Sequence, residues 1–138
     1  MGKNRVELHV HMVWSTAGRT PLIAKAFEGE LFEVIRGRTA QLRCVPQAIG
    51  GMPDHVHLLA RLHPSVSVSR LVGEVKGASS HFVNHRFAPS PPFEWQPGFG
   101  AFTVDLADVP AVANYVNDQP SRHVRGALST TWEFAGED

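Results

Sequence analysis

Two closely spaced histidines are the first residues of this chain whose type and spacing could do chemistry. His55 and His57 lie two positions apart in the segment 55–62, which is predicted to be a strand. On a β-strand such residues point to the same face, about 7 Å apart at Cα, so both imidazoles could reach one cation. The pattern alone is weak, because the chain has eight histidines and His9 and His11 form a second such pair. Two structural histidines in a sheet are the alternative.

A tyrosine and a glutamine in the last predicted helix are the second group. Tyr115 is the only tyrosine, against eight phenylalanines. A core position would accept phenylalanine, so the phenol suggests a use for its oxygen, although a side chain at the rim of the core is the alternative. Gln119 lies four residues on and therefore on the same helical face. Its amide oxygen is a hard ligand suited to Mg²⁺ or Mn²⁺.

Together these residues indicate phosphoryl-transfer chemistry. Two imidazoles and one amide oxygen make an incomplete metal site, and a cation held there could bind a phosphate oxygen. A nearby phenol could attack phosphorus, form a phosphotyrosine and release a 3′-hydroxyl. A phenol with the ordinary pKa of about 10 needs activation by the metal or by a base. The sequence does not identify that base.

Hydrophobic periodicity predicts the elements that must position these residues. Strands are predicted at 7–14, 41–49, 55–62 and 99–106, and helices at 22–39, 67–87 and 108–118, with a turn at 50–54. Pro46 predicts an edge strand or a bulge, and Ser67 or Ser69 could cap the second helix. The order predicts an α+β, ferredoxin-like (RRM-like) βαββαβ fold with a four-stranded antiparallel sheet. A C-terminal helix would carry Tyr115.

Composition limits the class of protein. A length of 138 residues predicts one domain spanning 1–138. The single cysteine, Cys44, excludes a disulfide framework and a cysteine-rich zinc module. The sequence has no signal-peptide pattern and no apolar run near the roughly 20 residues that span a bilayer. We therefore expect a cytoplasmic protein without a membrane partner.

The charge distribution bears on nucleic-acid binding. The formal net charge is zero, which argues mildly against such binding. Residues 1–86, however, contain 11 Lys/Arg and 6 Asp/Glu, whereas residues 87–138 contain 2 and 7. One part of the chain could therefore face phosphates, or the two parts could neutralise each other in the fold.

Five segments resemble the single-tyrosine HUH transposases, a family that includes insertion-sequence and REP-associated tyrosine transposases. In chain order they are ELHVHMVWSTAGRTPLI, GGMPDHVHLLARL, EVKGASSHFVN, FEWQPGFGAFTV and VANYVNDQPSRH. The second contains the histidine–hydrophobic–histidine motif and the last contains the tyrosine helix. The resemblance covers roughly residues 5–123.

The resemblance implies that Tyr115 is the nucleophile and that His55, His57 and Gln119 bind Mg²⁺ or Mn²⁺. It implies nicking and rejoining of single-stranded DNA with hairpin-forming ends through a 5′-phosphotyrosine, without a nucleotide cofactor. It also implies a homodimer, in which many members use the tyrosine of one subunit with the histidines of the other. The short tail after His123 puts this exchange in question here.

Other residues are weaker candidates. Arg19, Arg70 and Lys76 could contact DNA phosphates, although each is also explained as a solvated charge. Four aromatic residues could stack on unpaired bases or pack in the core: Trp14, Trp95, Phe99 and Phe102. Phe99 stands where many relatives have tyrosine. Asp54 is expected to shape the turn before the histidine pair. Four further histidines have no assigned role: His63, His81, His85 and His123.

Two competing functions remain open at this point. One is a non-catalytic or domesticated nucleic-acid-binding protein of the same fold. The other is a metal hydrolase in which water, and not Tyr115, attacks phosphorus.

Overall fold

An antiparallel sheet carries the histidine pair. In the computed structural model, which describes residues 2–120, the strands are β1 (His9–Ser15), β2 (Val45–Met52), β3 (His55–Arg61) and β4 (Gly100–Val104). They form a four-stranded sheet in the order β2-β3-β1-β4, and every neighbouring pair is antiparallel. This is the ferredoxin-like arrangement, so the predicted fold class is confirmed. β1 and β3 are the central strands.

Two helices cover one face of the sheet and form the main core with it. They are α1 (Lys25–Gln41) and α2 (Val68–Arg86). Alternate residues of the central strands point into this core, among them Met12, Trp14 and Leu58, all fully buried. Ser67 caps α2, because its hydroxyl accepts a hydrogen bond of 3.1 Å from the Arg70 amide, as predicted. Within residues 2–120, no helix combines the length and apolarity needed to cross a membrane.

A third helix, α3 (Val109–Asn117), lies on the opposite face of the sheet. Val112 and Val116 of α3 pack on Ala48 and Leu59 in a second, smaller apolar cluster. Asp108 occupies the predicted N-cap position, but its side chain makes no capping hydrogen bond, because it ends the short 3₁₀ turn Leu106–Asp108. The face opposite the main core is therefore partly covered by the helix that carries the tyrosine.

The second strand differs most from its prediction. β2 starts at Val45 and continues to Met52, because Gly50 and Gly51 pair with β3 where a turn was predicted. The turn between the strands is thereby shortened to residues 53 and 54. The prediction from Pro46 is confirmed, since β2 is an edge strand and its register shifts between Pro46 and Ala48. β2 is thus shifted toward its C-terminal end rather than lengthened, and Gly50 in the added part contacts the backbone of α3 at Val116.

Candidate active site

The histidine pair lies at the start of β3. His55 and His57 point to the face that α3 covers, and both imidazoles are buried, with at most 1% of either residue exposed. Their ring centroids are 5.1 Å apart and the rings are inclined by 70°. The alternation of the strand thus places the two imidazoles side by side.

Tyr115 lies beside this pair. It occupies the sheet-facing side of α3, is 2% exposed, and its ring centroid is 5.9 Å from that of His57 in the same chain. Residues distant in sequence meet here because α3 crosses the sheet face next to β3. The phenol and the imidazole are therefore close without any exchange of helices between subunits.

Gln119 follows α3 and is fully buried. It lies just after the residue that caps the helix, and its Nε2 donates a hydrogen bond of 3.2 Å to the Tyr115 carbonyl oxygen. The amide nitrogen is the donor in this bond, so the side-chain oxygen is the atom through which Gln119 could bind a cation. The bond ties the side chain to the helical turn that carries Tyr115.

Each histidine of the pair is hydrogen-bonded through its Nδ1 atom. His55 Nδ1 lies 2.7 Å from Oδ1 of Asp54, and His57 Nδ1 lies 2.8 Å from Nε2 of His11. Metal-binding histidines commonly use one ring nitrogen for such a bond and the other for the metal. The sequence predicted that Asp54 shapes the turn, and its carbonyl does accept a bond from the Thr16 amide. The contacts of Asp54 and His11 with the pair were missed, although the adjacency of Asp54 to His55 was a signal.

The donor set fits a single divalent cation in its chemistry. Imidazole nitrogens and an amide oxygen are neutral ligands of moderate hardness, and three such groups leave coordination positions open. Within residues 2–120, no group of three or more His, Cys, Asp or Glu side chains is arranged so that it could hold a metal ion.

Arg19 lies next to the site, on the loop after β1. Its Nε is 3.5 Å from Oδ2 of Asp54, the same carboxylate that bonds His55. Arg19 has a φ of 55° and follows Gly18 at 60°, a left-handed conformation that is uncommon for a residue with a side chain. The Gly18 amide donates to Oε1 of Gln96 at 3.1 Å, which helps to hold this turn. A cleft of about 420 Å³ opens between Arg19 and His55.

The other two basic candidates lie elsewhere. Lys76 Nζ donates hydrogen bonds to the carbonyl oxygens of Gln96, at 2.7 Å, and Gly98, at 3.0 Å. Partial burial lowers the pKa of the Lys76 ammonium. Arg70 lies in the first turn of α2, on the helical layer across the sheet from the histidine pair, beside Arg38 and Glu74. The structure therefore brings Arg19 to the site, ties Lys76 to the loop that supports it, and leaves Arg70 apart.

The tryptophan candidates for base stacking are part of the core. Trp14 is fully buried, and Trp95, 8% exposed, donates from its Nε1 to the Ser79 hydroxyl at 3.0 Å. Phe99 is partly buried against the same core. Phe102 lies on the side of the sheet that carries the histidines, with its ring centroid 6.2 Å from that of His11. Packing therefore explains both tryptophans, as the alternative interpretation held. His123 lies outside the described residues.

Comparison with known proteins shows the family to which the chain belongs. The sequence model of a transposase family described as IS200-like matches residues 4–119. The ISDra2 transposase TnpA of Deinococcus radiodurans is 25% identical over 121 residues, which are 82% of this chain and 84% of that protein.

Two solved structures share the fold. A protein of Deinococcus radiodurans R1 considered to be a transposase has a TM-score of 0.68 and 25% identity, over 86% of this chain and 98% of the other. A REP-associated tyrosine transposase bound to a REP hairpin has a TM-score of 0.66 and 17% identity, over 89% and 74%. The latter supports the fold alone at that identity. Since the family's pattern runs from before β1 through Gln119, this chain belongs to the IS200-like transposase family.

Proposed function

We propose that this protein is a metal-dependent DNA transposase that nicks and rejoins single-stranded DNA through a 5′-phosphotyrosine at Tyr115. The observation that carries the proposal is the placement of the one phenol of the chain 5.9 Å, between ring centroids, from a histidine of a buried pair. Membership of a transposase family supports it. We further propose that residues 1–138 form one domain.

The residues that would hold the metal are His55, His57 and Gln119. Two imidazoles favour Mn²⁺ over Mg²⁺, which prefers oxygen ligands and keeps several waters. Bound there, the cation would neutralise the charge that develops on the phosphate oxygens during the reaction. Burial of both imidazoles strengthens this electrostatic effect, because little water remains to screen it.

The nucleophile of the proposed reaction is the phenolic oxygen of Tyr115. It attacks the phosphorus of a phosphodiester, so that an Oη–P bond forms and the bond from phosphorus to the 3′ oxygen breaks. The 3′ oxygen leaves as a hydroxyl, and the proton it gains balances the proton lost by the phenol. Attack of a 3′-hydroxyl on the phosphotyrosine reverses these steps and frees Tyr115. The phosphotyrosine ester retains the energy of the phosphodiester bond, so rejoining needs no ATP.

The proposed substrate is single-stranded DNA with hairpin-forming ends. Arg19 lies at the cleft beside His55 and could bind a phosphate there, and the relative that binds a REP hairpin shares the fold. Homodimer formation stays a prediction. Tyr115 and His57 of one chain already lie together, which supports chemistry within one subunit whether the protein is a monomer or a homodimer.

The test is covalent capture. The full chain is incubated with Mn²⁺ and labelled single-stranded DNA taken from both sequences that flank its gene, and a protein–DNA adduct is expected in denaturing gels. Tyr115→Phe should bind the DNA without forming the adduct, and His57→Ala should weaken both Mn²⁺ binding and adduct formation. An adduct that persists in Tyr115→Phe would refute the assignment of the nucleophile.

Product analysis separates the competing functions. A free 5′-phosphate without attached protein indicates attack by water, and hairpin binding that is independent of Mn²⁺ and unaffected by His57→Ala indicates a binding protein. Metal titrations need one control, because His81 and His85 are exposed one turn apart on α2, with ring centroids 5.6 Å apart. Such a pair can bind transition metals. Each metal titration is therefore repeated with proteins that also carry both His81→Gln and His85→Gln.

A further inference from the structure

His11 is a fully buried histidine to which the sequence assigns no function. It lies in β1, on the face that carries the histidine pair. Buried polar side chains are costly unless they are hydrogen-bonded, and an apolar residue would fit a strand interior more simply. The contacts of this imidazole therefore need an explanation.

The strand register explains which residue His11 meets. His11 is opposite Leu59 on β3, so His57, two residues away, is its diagonal neighbour on the same face. The rings are 5.1 Å apart between centroids and inclined by only 27°, and His11 Nε2 lies 2.8 Å from His57 Nδ1. Tyr115 and Phe102 flank His11 at ring-centroid distances of 6.4 and 6.2 Å, which restricts its ring.

The direction of this hydrogen bond decides the state of His57. Between two neutral imidazoles one nitrogen donates and the other accepts, and the bond can run either way. If His57 Nδ1 donates, the lone pair of His57 is on Nε2, at the other edge of the ring. If it accepts, Nε2 carries the proton and cannot bind a metal.

His55 provides a direct comparison within the same site. Its Nδ1 faces the Asp54 carboxylate at 2.7 Å, and an ionised carboxylate can only accept. His55 therefore has its proton on Nδ1 when neutral, with the lone pair on Nε2. Two imidazoles that share one cation must both present a lone pair. To match His55, His57 must carry its proton on Nδ1, and that proton needs an acceptor.

We propose that His11 is a positioning residue that accepts the proton of His57 Nδ1 and thereby presents His57 Nε2 to the metal. The metal-binding part rests on the proposed function, whereas the tautomer is a property of the metal-free protein. His11 then carries its own proton on Nδ1. It acts on His57 as Asp54 acts on His55, but without adding a negative charge to the buried site.

The tautomer is measured by NMR of the ¹⁵N-labelled, metal-free full chain, in long-range ¹H–¹⁵N spectra recorded near pH 8, above the ordinary imidazole pKa of about 6.5. Wild type is compared with His11→Phe, which keeps a ring but has no acceptor, and with His11→Gln, whose amide oxygen can accept. His9→Phe is the matched control, because His9 is buried on the same strand and face but bonds Gln47 and Glu7. Mn²⁺ affinity is measured on the same proteins by titration calorimetry.

We expect the Nδ1–H form of His57 in wild type, His11→Gln and His9→Phe, and a loss of that form in His11→Phe. Mn²⁺ affinity should fall about 10- to 100-fold in His11→Phe alone, the usual effect of losing such a partner. A proton on Nε2 of wild-type His57 would overturn the proposal. So would a loss of the Nδ1–H form in His9→Phe as large as that in His11→Phe. Wild type that binds no Mn²⁺ through His57 would contradict the proposed function, and the NMR result would still decide the role of His11.

Discussion

Gly50 is the position where the tyrosine helix comes closest to the sheet. It lies in β2 opposite His57, directly beneath the backbone of α3 at Val116. A methyl group added there would overlap the carbonyl oxygen of Val116 and come within 3.1 Å of its carbonyl carbon. Gly50→Ala is therefore expected to lift α3 away from the histidine pair.

The size of the effect follows from this overlap. Non-bonded carbon atoms are in favourable contact at about 3.5–4.0 Å, so the backbone of α3 must retreat by about 1 Å. Overpacking of this kind costs about 1–3 kcal/mol of unfolding free energy. A displacement of about 1 Å between reacting groups can lower a rate about 100-fold. The rate should therefore fall about 100-fold in protein that is still folded, since Tyr115 lies on the displaced helix.

The assay combines urea unfolding with the rate of adduct formation on single-stranded DNA. Gly73→Ala is the matched control, because Gly73 lies in α2 with no atom within 4 Å of an added methyl group. Alanine in a helix is more favourable than glycine by about 0.5–1 kcal/mol. The control should therefore be slightly stabilised and fully active. Wild-type stability and rate in Gly50→Ala would refute the close seating of α3 on β2.

Two further predictions concern charged residues outside the site, Lys76 in α2 and Glu7 before β1. Lys76→Met should lower the free energy of unfolding by about 1–3 kcal/mol, because the carbonyl oxygens of Gln96 and Gly98 lose a charged donor. The salt dependence of DNA binding should not change, whereas a slope reduced by about 1 would show that Lys76 contacts a phosphate. Glu7 has its pKa held below the usual 4.5 by its hydrogen bond to His9 and, next, by Arg5. Its contribution to stability is therefore present above pH 4.5 and lost as the pH falls through the lower folded-state pKa, so the stability difference between wild type and Glu7→Gln in urea titrations should shrink in acid.

The sequence determined the features that depend on neighbours along the chain. The shared face of His55 and His57 follows from the two-residue period of a strand. The hydroxyl of Ser67 and the missing amide proton of Pro46 act within a few residues, so the cap of α2 and the irregularity of β2 were both predictable. The order of strands and helices limited the topology to a ferredoxin-like sheet, which the structure has.

The tertiary structure decided which residues meet across the sheet. The distance from Tyr115 to His57 depends on how α3 docks on the sheet, and the close approach of α3 requires that Gly50, distant from the helix in sequence, has no side chain. The contact of His11 with His57 depends on the register between β1 and β3, where a shift by one residue would send His11 to the opposite face. Register and docking are set by packing between distant segments, whose contacts no local pattern encodes. The periodicity of the sequence therefore predicted the face of the strand or helix on which each chemical group lies. The packing of the sheet and α3 determined which groups are in contact.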